Sequence, residues 1–160
     1  MKKHKGLINV FLDFRAAYDT VDRRILWTLL VKRFGFSLEL VRTIRAIFDF
    51  NKSFLLIGDE TSGPIENYRG LPQGSALSPI MFNFFINGLI ELLDAQAKEE
   101  GIETNCLFFA DDGNLHTRSR DNMQRLLNLC HQWAHGHGMY DLCAVEITRC
   151  CKRQSSTTTG

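Results

Sequence analysis

Long apolar runs are absent from this chain. No stretch approaches the roughly twenty residues needed to cross a bilayer, so no membrane partner is expected. An excess of charge is absent too: 19 Lys and Arg stand against 18 Asp and Glu. That balance removes the overall basic signature of a nucleic-acid-binding domain and confines any such contact to a local patch. No C-x-x-C pair occurs, and the five cysteines, Cys106, Cys130, Cys143, Cys150 and Cys151, are odd in number. Both a secreted disulfide framework and a zinc ribbon are disfavoured, and a reducing, intracellular setting is the expectation. The opening MKKHKGLINVFLDF is basic like a signal peptide, but its apolar run is short and broken by Asn9 and Asp13. It reads as a basic lead into a strand. No internal repeat is visible.

What is present fits one domain with a real core. The chain has 160 residues, 44% of them hydrophobic, and a chain of that length normally buries about two thirds of its unfolded surface. The expected domain is 1–152; residues 153–160, in the polar run KRQSSTTTG, have no apolar face and are expected to be disordered. LINVFLD (7–13) predicts a buried strand ending at a carboxylate. After Asp22, the spacing of Ile25, Leu26, Leu29, Leu30 and Phe34 predicts a helix stopped by Gly35. Ser37 caps a second helix carrying Leu38, Val41, Ile44, Ile47 and Phe48, antiparallel to the first. SFLLIGDETSGPIENYR predicts two short strands around turns. Ser78 followed by Pro79 predicts an N-cap and first helical position, opening the apolar helix PIMFNFFINGLIELLDAQAK. Asn83 and Asn87, four apart on it, either bond in the core or line a groove, the core being favoured. A last helix from about Arg120 carries Met123, Leu126, Leu127, Cys130 and Ala134, and a final strand follows the histidine-rich loop. Cys130, His135, His137 and Cys143 match no usual zinc spacing.

The stretch LFFADDGNLH (107–116) sets Asp111 and Asp112 side by side. The bland reading is a hairpin in which Asp112 and Gly113 supply the positive φ angles. In an α+β arrangement, with helices covering one face of an antiparallel sheet, the end of strand 7–13 meets the tip of this hairpin, and Asp13 joins the pair. Three converging carboxylates resist joint ionisation; divalent cations remove that cost. Mg²⁺ is held by one or two carboxylates plus water and substrate phosphates, and two such ions about 3.5–4 Å apart serve phosphoryl transfer.

FLDFRAAYD (11–19), RGLPQGSALSPIMFNFFING (69–88) and FFADDGN (108–114) together resemble three central palm motifs of reverse transcriptases, in order, with the flavour of non-LTR retrotransposons. The resemblance covers residues 7 to about 140. It implies an α+β polymerase palm: an antiparallel sheet covered by helices on one face, lacking most of the fingers and the thumb. It further implies that Asp13, Asp111 and Asp112 are catalytic carboxylates that hold two Mg²⁺ ions, or Mn²⁺, with the backbone carbonyl of Phe14 beside them. Tyr18 falls at the family's aromatic steric gate, which occupies the space of a ribose 2′-hydroxyl. Gln73 and Gly74 match the loop against nucleotide and template, where glycine lets backbone approach. The implied partners are an RNA template, a DNA primer and deoxynucleoside triphosphates. Asp19, in the family's AYD pattern, together with Thr20 and Asp22 reads as helix capping.

Two departures stand out. The family usually keeps a lysine shortly after GM; after Gly138 and Met139 this chain has Val145 or Glu146 near that point. Short flanks around the three motifs give the expectation of a palm-centred piece of a mobile-element reading frame, feeble as a polymerase by itself, with Phe48, Phe50 and Phe54 exposed. A non-catalytic relic that at most binds nucleic acid is the rival reading. A metal-dependent nuclease would have no use for a sugar gate.

Overall fold

A computed structural model of the chain describes residues 6–50, 52–139 and 142–150. The side chains of 144–150 and the whole expected tail 153–160 lie outside that description, and with them the position where the family keeps its lysine. The order of elements is β1 (Leu7–Phe14), α1 (Ala17–Thr20), α2 (Arg23–Lys32), α3 (Leu38–Asp49), four two-residue strands β2 (Lys52–Ser53), β3 (Leu56–Ile57), β4 (Glu60–Thr61) and β5 (Ile65–Glu66), then α4 (Ser78–Glu99), β6 (Thr104–Phe109), β7 (Asp112–Thr117), α5 (Arg120–Gly136) and β8 (Leu142–Cys150).

The main sheet runs β6-β7-β1-β8, each neighbour antiparallel. Successive side chains of a strand point to opposite faces, and β1 obeys: Ile8, Val10, Leu12 and Phe14 are buried while Phe11 and Asp13 are exposed. Gly113, Leu115 and Thr117 repeat the pattern on β7. These inward residues form one core with Met81, Phe82, Phe85, Leu89 and Leu93 of α4 and Met123, Leu126, Cys130 and Trp133 of α5. The opposite face stays open, with Phe11, Leu107 and Phe109 exposed. One layer of helices on one face of an antiparallel sheet is the expected α+β plan.

Helix starts follow local chemistry. The side chains of Asp22, Ser37 and Ser119 accept hydrogen bonds from the backbone N–H groups of Arg24 (2.8 Å), Leu40 (3.2 Å) and Asn122 (3.5 Å), satisfying donors that a helix leaves orphaned. Gly35 follows α2 at φ 69°. Ser78 departs from expectation. It is the first residue of α4, not its cap, and Leu77 in the cap position makes no side-chain bond. The buried Ser78 hydroxyl donates to the Pro72 carbonyl at 2.6 Å, because a buried hydroxyl must find a partner and the preceding loop supplies the nearer one. The asparagines also depart: Asn83 is exposed, and Asn87 donates to Glu91 one turn on, so neither bonds in the core. Phe48 is 1% exposed, packed on Trp27 at 5.7 Å between ring centres, contrary to the exposure expected of it; Phe50 and Phe54 are exposed. The region between α3 and α4 is a projecting arm of two small ladders, β2 with β5 and β3 with β4.

Candidate active site

β1 pairs with β7 as far as Leu12 opposite Gly113, and β6 closes onto β7 at Phe109 opposite Asp112. One step further along, Asp13 and Asp112 emerge on neighbouring strands at the same edge of the sheet, and Asp111 sits on the loop that joins β6 to β7. The hairpin turn is therefore Ala110–Asp111, not Asp112–Gly113. Ala110 has φ 54°, and positive φ at the first of two loop residues is what lets a tight turn follow the twist of its strands. Gly113 lies in the strand for a steric reason. A Cβ there would stand 2.6 Å from Phe108 Cε1 and 3.1 Å from Leu12 Cβ.

Asp13 and Asp112 are exposed and Asp111 half-buried. Among the described residues, no cation pairs with any of the three and no side-chain hydrogen bond reaches them. Nor do three or more His, Cys, Asp or Glu side chains among the described residues form a group that could hold a metal ion. Carboxylate oxygens are the donor type that a hard divalent cation takes, with water and substrate oxygens as its other ligands. The Phe14 side chain is buried in the core, and its backbone pairs with Leu142 of β8.

A second non-glycine residue with positive φ, Ala16 at 49°, turns the chain from β1 into α1. Left-handed alanine costs about 1–2 kcal/mol, and the two cases flank the two acidic positions, where such strain is typically stored. The turn at Ala16 delivers Tyr18. Its ring stacks on Phe82 at 4.8 Å and 19°. Burial, and after it the charge of Asp111, push the phenol above its ordinary value, so the hydroxyl stays protonated beside the acidic pair. Tyr18, Pro72, Gln73, Gly74, Ser75 and Pro79 line one groove of about 510 Å³.

That groove is held by stitching between α1 and the loop before α4. The backbone N–H groups of Gly70 and Leu71 donate to the carbonyls of Val21 (2.9 Å) and Tyr18 (2.8 Å), and Arg69 Nε donates to the Thr20 carbonyl at 2.8 Å. Within the chain the close backbone approach is at Gly70, where a Cβ would lie 2.8 Å from the Asp19 carbonyl oxygen and φ is 79°. Gly74 meets nothing within 4 Å and is required by its φ of 87°. Of the three residues read as caps, only Asp22 caps; Asp19 is an exposed member of α1, and the Thr20 hydroxyl donates back to the Ala17 carbonyl at 3.0 Å.

Sequence reading missed Arg23. It is 4% exposed, and its Nε donates to the Gly70 carbonyl at 2.6 Å while Nη1 donates to those of Asn67 (2.7 Å) and Phe48 (3.2 Å). It ties α2, the end of α3 and the base of the arm to the loop that carries Gln73. The only signal in the sequence was a second arginine just inside a helix start. The histidine-rich stretch has other work: His137 stacks on Trp133 at 4.1 Å, and its Nδ1 donates to the Trp133 carbonyl at 2.8 Å.

A sheet of this topology, covered by helices on one face, has the palm-type fold of polymerases, and comparison with known proteins agrees on that fold. The family model for reverse transcriptase (RNA-dependent DNA polymerase) matches residues 1–140. The chain belongs to the reverse transcriptase family, of the non-LTR retrotransposon type. It is 30% identical over 128 residues to the retrovirus-related Pol polyprotein from type-1 retrotransposable element R2 of Nasonia vitripennis, a match covering 79% of this chain and 12% of that protein. It is 29% identical over 119 residues to the Pol polyprotein from type-2 retrotransposable element R2DM of Drosophila melanogaster, covering 73% and 11%. Among solved structures, telomerase from Candida tropicalis with a fragment of telomeric RNA superposes with TM-score 0.75 at 12% identity, over 96% of this chain and 28% of that one. The RNA-dependent RNA polymerase of bacteriophage phi12 gives 0.61 at 13% identity, over 86% and 25%. The chain thus spans a small part of each relative's length.

Proposed function

We propose that the chain is the palm of an RNA-directed DNA polymerase working inside the cell: it adds deoxynucleotides to the 3′-hydroxyl of a DNA primer on an RNA template. The observation that carries this reading is the placement of Asp13, Asp111 and Asp112, unpaired, at one sheet edge beside the groove of Tyr18 and Gln73. Asp13 and Asp111 would hold the divalent ions, with Asp112 and the Phe14 carbonyl beside them. Two bound Mg²⁺ ions supply activation of the attacking hydroxyl and charge stabilisation on the leaving pyrophosphate. The chain's own share is positioning, which dominates phosphoryl transfer because there is little covalent chemistry for a protein to perform.

Tyr18 orients the sugar. Its ring is fixed by the stack on Phe82, and its neutral hydroxyl adds no repulsion toward a triphosphate. A ring so placed fills the volume a 2′-hydroxyl needs. Gln73, carried by the loop stitched to Tyr18's own backbone, offers an amide to the base or template, and Gly74 keeps the groove wall free of a side chain.

The test is primer extension on an RNA template at low salt. Slow extension is expected from wild type, with loss of at least tenfold in Asp13→Asn and Asp111→Asn. In Tyr18→Val, ribonucleotide use should rise relative to deoxynucleotide use. Equal extension by the wild type and both aspartate variants would contradict the reading, and a folded wild type with no extension at all would favour a non-catalytic relic.

A further inference from the structure

Three hollows adjoin one another through shared lining residues. The nucleotide groove shares Pro72 and Gln73 with a neighbouring hollow, which in turn shares Arg23 and Arg69 with a third of about 570 Å³. This third hollow lies between α2, α3 and the base of the arm. Its walls carry four arginines, Arg23, Arg24, Arg45 and Arg69, against two aspartates, Asp22 and Asp49. In a chain whose charges otherwise nearly cancel, this is a local cationic patch.

The four cations divide into two kinds. Arg23 is fixed: its hydrogen bonds go to three neutral carbonyls, and among the described residues Nη2 has no hydrogen-bond partner. Burial pushes its guanidinium below its ordinary value, with Asp49 as the opposing influence, and the group lies over the Phe48 ring at 5.8 Å. Arg24 and Arg45 are exchangeable. Their pairs with Asp22 (2.8 Å) and Asp49 (2.9 Å) lie at the surface, where such pairs contribute little and can be traded for a phosphate. Beside them Tyr68 is 80% exposed, its hydroxyl tethered to Glu66. A basic groove with an exposed aromatic ring is the combination that tracks a single strand: charge for the backbone, a flat face for a base.

We propose that this hollow seats a single-stranded polynucleotide, with phosphates against Arg24 and Arg45 and a base stacked on Tyr68, and that the strand runs from there past Arg23 to Gln73. The cradle stands on its own residues; only the direction of the strand, toward the nucleotide groove, rests on the polymerase reading. A polynucleotide is favoured over a free nucleotide because three hollows adjoin through shared lining residues and together far exceed one nucleotide's phosphates.

The test is fluorescence anisotropy of labelled, mixed-sequence RNA and DNA single strands of about a dozen nucleotides, titrated with the whole chain over a range of salt. Arg24→Gln/Arg45→Gln should weaken binding roughly tenfold and flatten the log–log salt slope by about 1.4, or about 0.7 for each phosphate left without its arginine. Tyr68→Ala should weaken it about fivefold or more, and Tyr68→Phe should restore it. Circular dichroism checks folding, and because the arginine pair and Tyr68 are changed in separate variants the loss of one leaves the other. Unchanged affinity and slope in both the arginine and Tyr68→Ala variants would overturn the cradle. So would full displacement of the strand by inorganic tripolyphosphate at matched phosphate, which would mark a site for a small anion. Neither result touches primer extension, so the cradle and the polymerase reading fail separately.

Discussion

Gly70 carries more of the site than its neighbours. A methyl group there meets the Asp19 carbonyl in a backbone conformation that L residues rarely adopt. Gly70→Ala should therefore cost roughly 2–5 kcal/mol, the sum of left-handed strain and overpacking, read as a lower urea midpoint. It should also loosen Tyr18 from Gln73. Cys130 gives a residue-scale prediction of a different kind. Burial pushes its thiol up to about 12, so at pH 8 it is protonated and enclosed in the folded protein. A thiol reagent should modify the exposed Cys143 under native conditions and reach Cys130 only in denaturant; fast native labelling of Cys130 would contradict the packing. At this scale the sequence was half legible. Asp13, Asp111, Asp112, Tyr18 and Gln73 announce themselves by residue type and spacing. Arg23 does not, because a charged residue near a helix start reads as solvated, and only the fold reveals that three carbonyls surround it. Gly113 looked like turn chemistry, yet it is extended and yields its side chain to Phe108.

Elements were read best where periodicity was long. β1, α2, α3, α4 and α5 each carry enough apolar repeats for the period to decide. α1 was not visible as an element: four residues entered through a left-handed Ala16 leave no periodic trace. The arm was legible only as strands and turns, since its ladders are two residues long and wholly exposed. Ser78 shows how tertiary structure overrides a local signal, its hydroxyl going to Pro72 while Pro79 still opens the helix. Asp22 is the cap with the clearest consequence. The hydrogen bond from the Arg24 side chain, chiefly, holds its carboxyl below the usual range. A carboxyl with a lowered folded value contributes stability that is present above the unfolded value and lost as pH falls through the folded one. Asp22→Ala should cost about 1 kcal/mol at neutral pH, and its disadvantage against wild type should shrink as pH drops below about 4. Thermal melts of both proteins across that range check the sign; a gap that widens in acid would contradict the cap.

At the scale of the molecule, the sheet leaves one face uncovered and the arm projects with Phe50, Phe54, Leu56, Ile57 and Tyr68 in solvent. Apolar area of that extent favours association, so sedimentation should show concentration-dependent self-association that falls when Phe54 and Leu56 are replaced by serine. Family and palm architecture were legible in the sequence because three motifs occur in order, each at the end or start of an element the core requires. The closure of their geometry was not, since it depends on strand register and on the stitching of two loops distant in sequence. The central claim is that the acidic edge binds divalent metal together with a nucleotide. The most direct test is Mn²⁺ binding followed by electron paramagnetic resonance, for wild type, Asp13→Asn and Asp111→Asn, with and without deoxynucleoside triphosphate and primer-template. Bound Mn²⁺ in the wild type should rise when the nucleotide is present, and each substitution should remove most of this increment. Equal binding by all three proteins, with the nucleotide present, would contradict it.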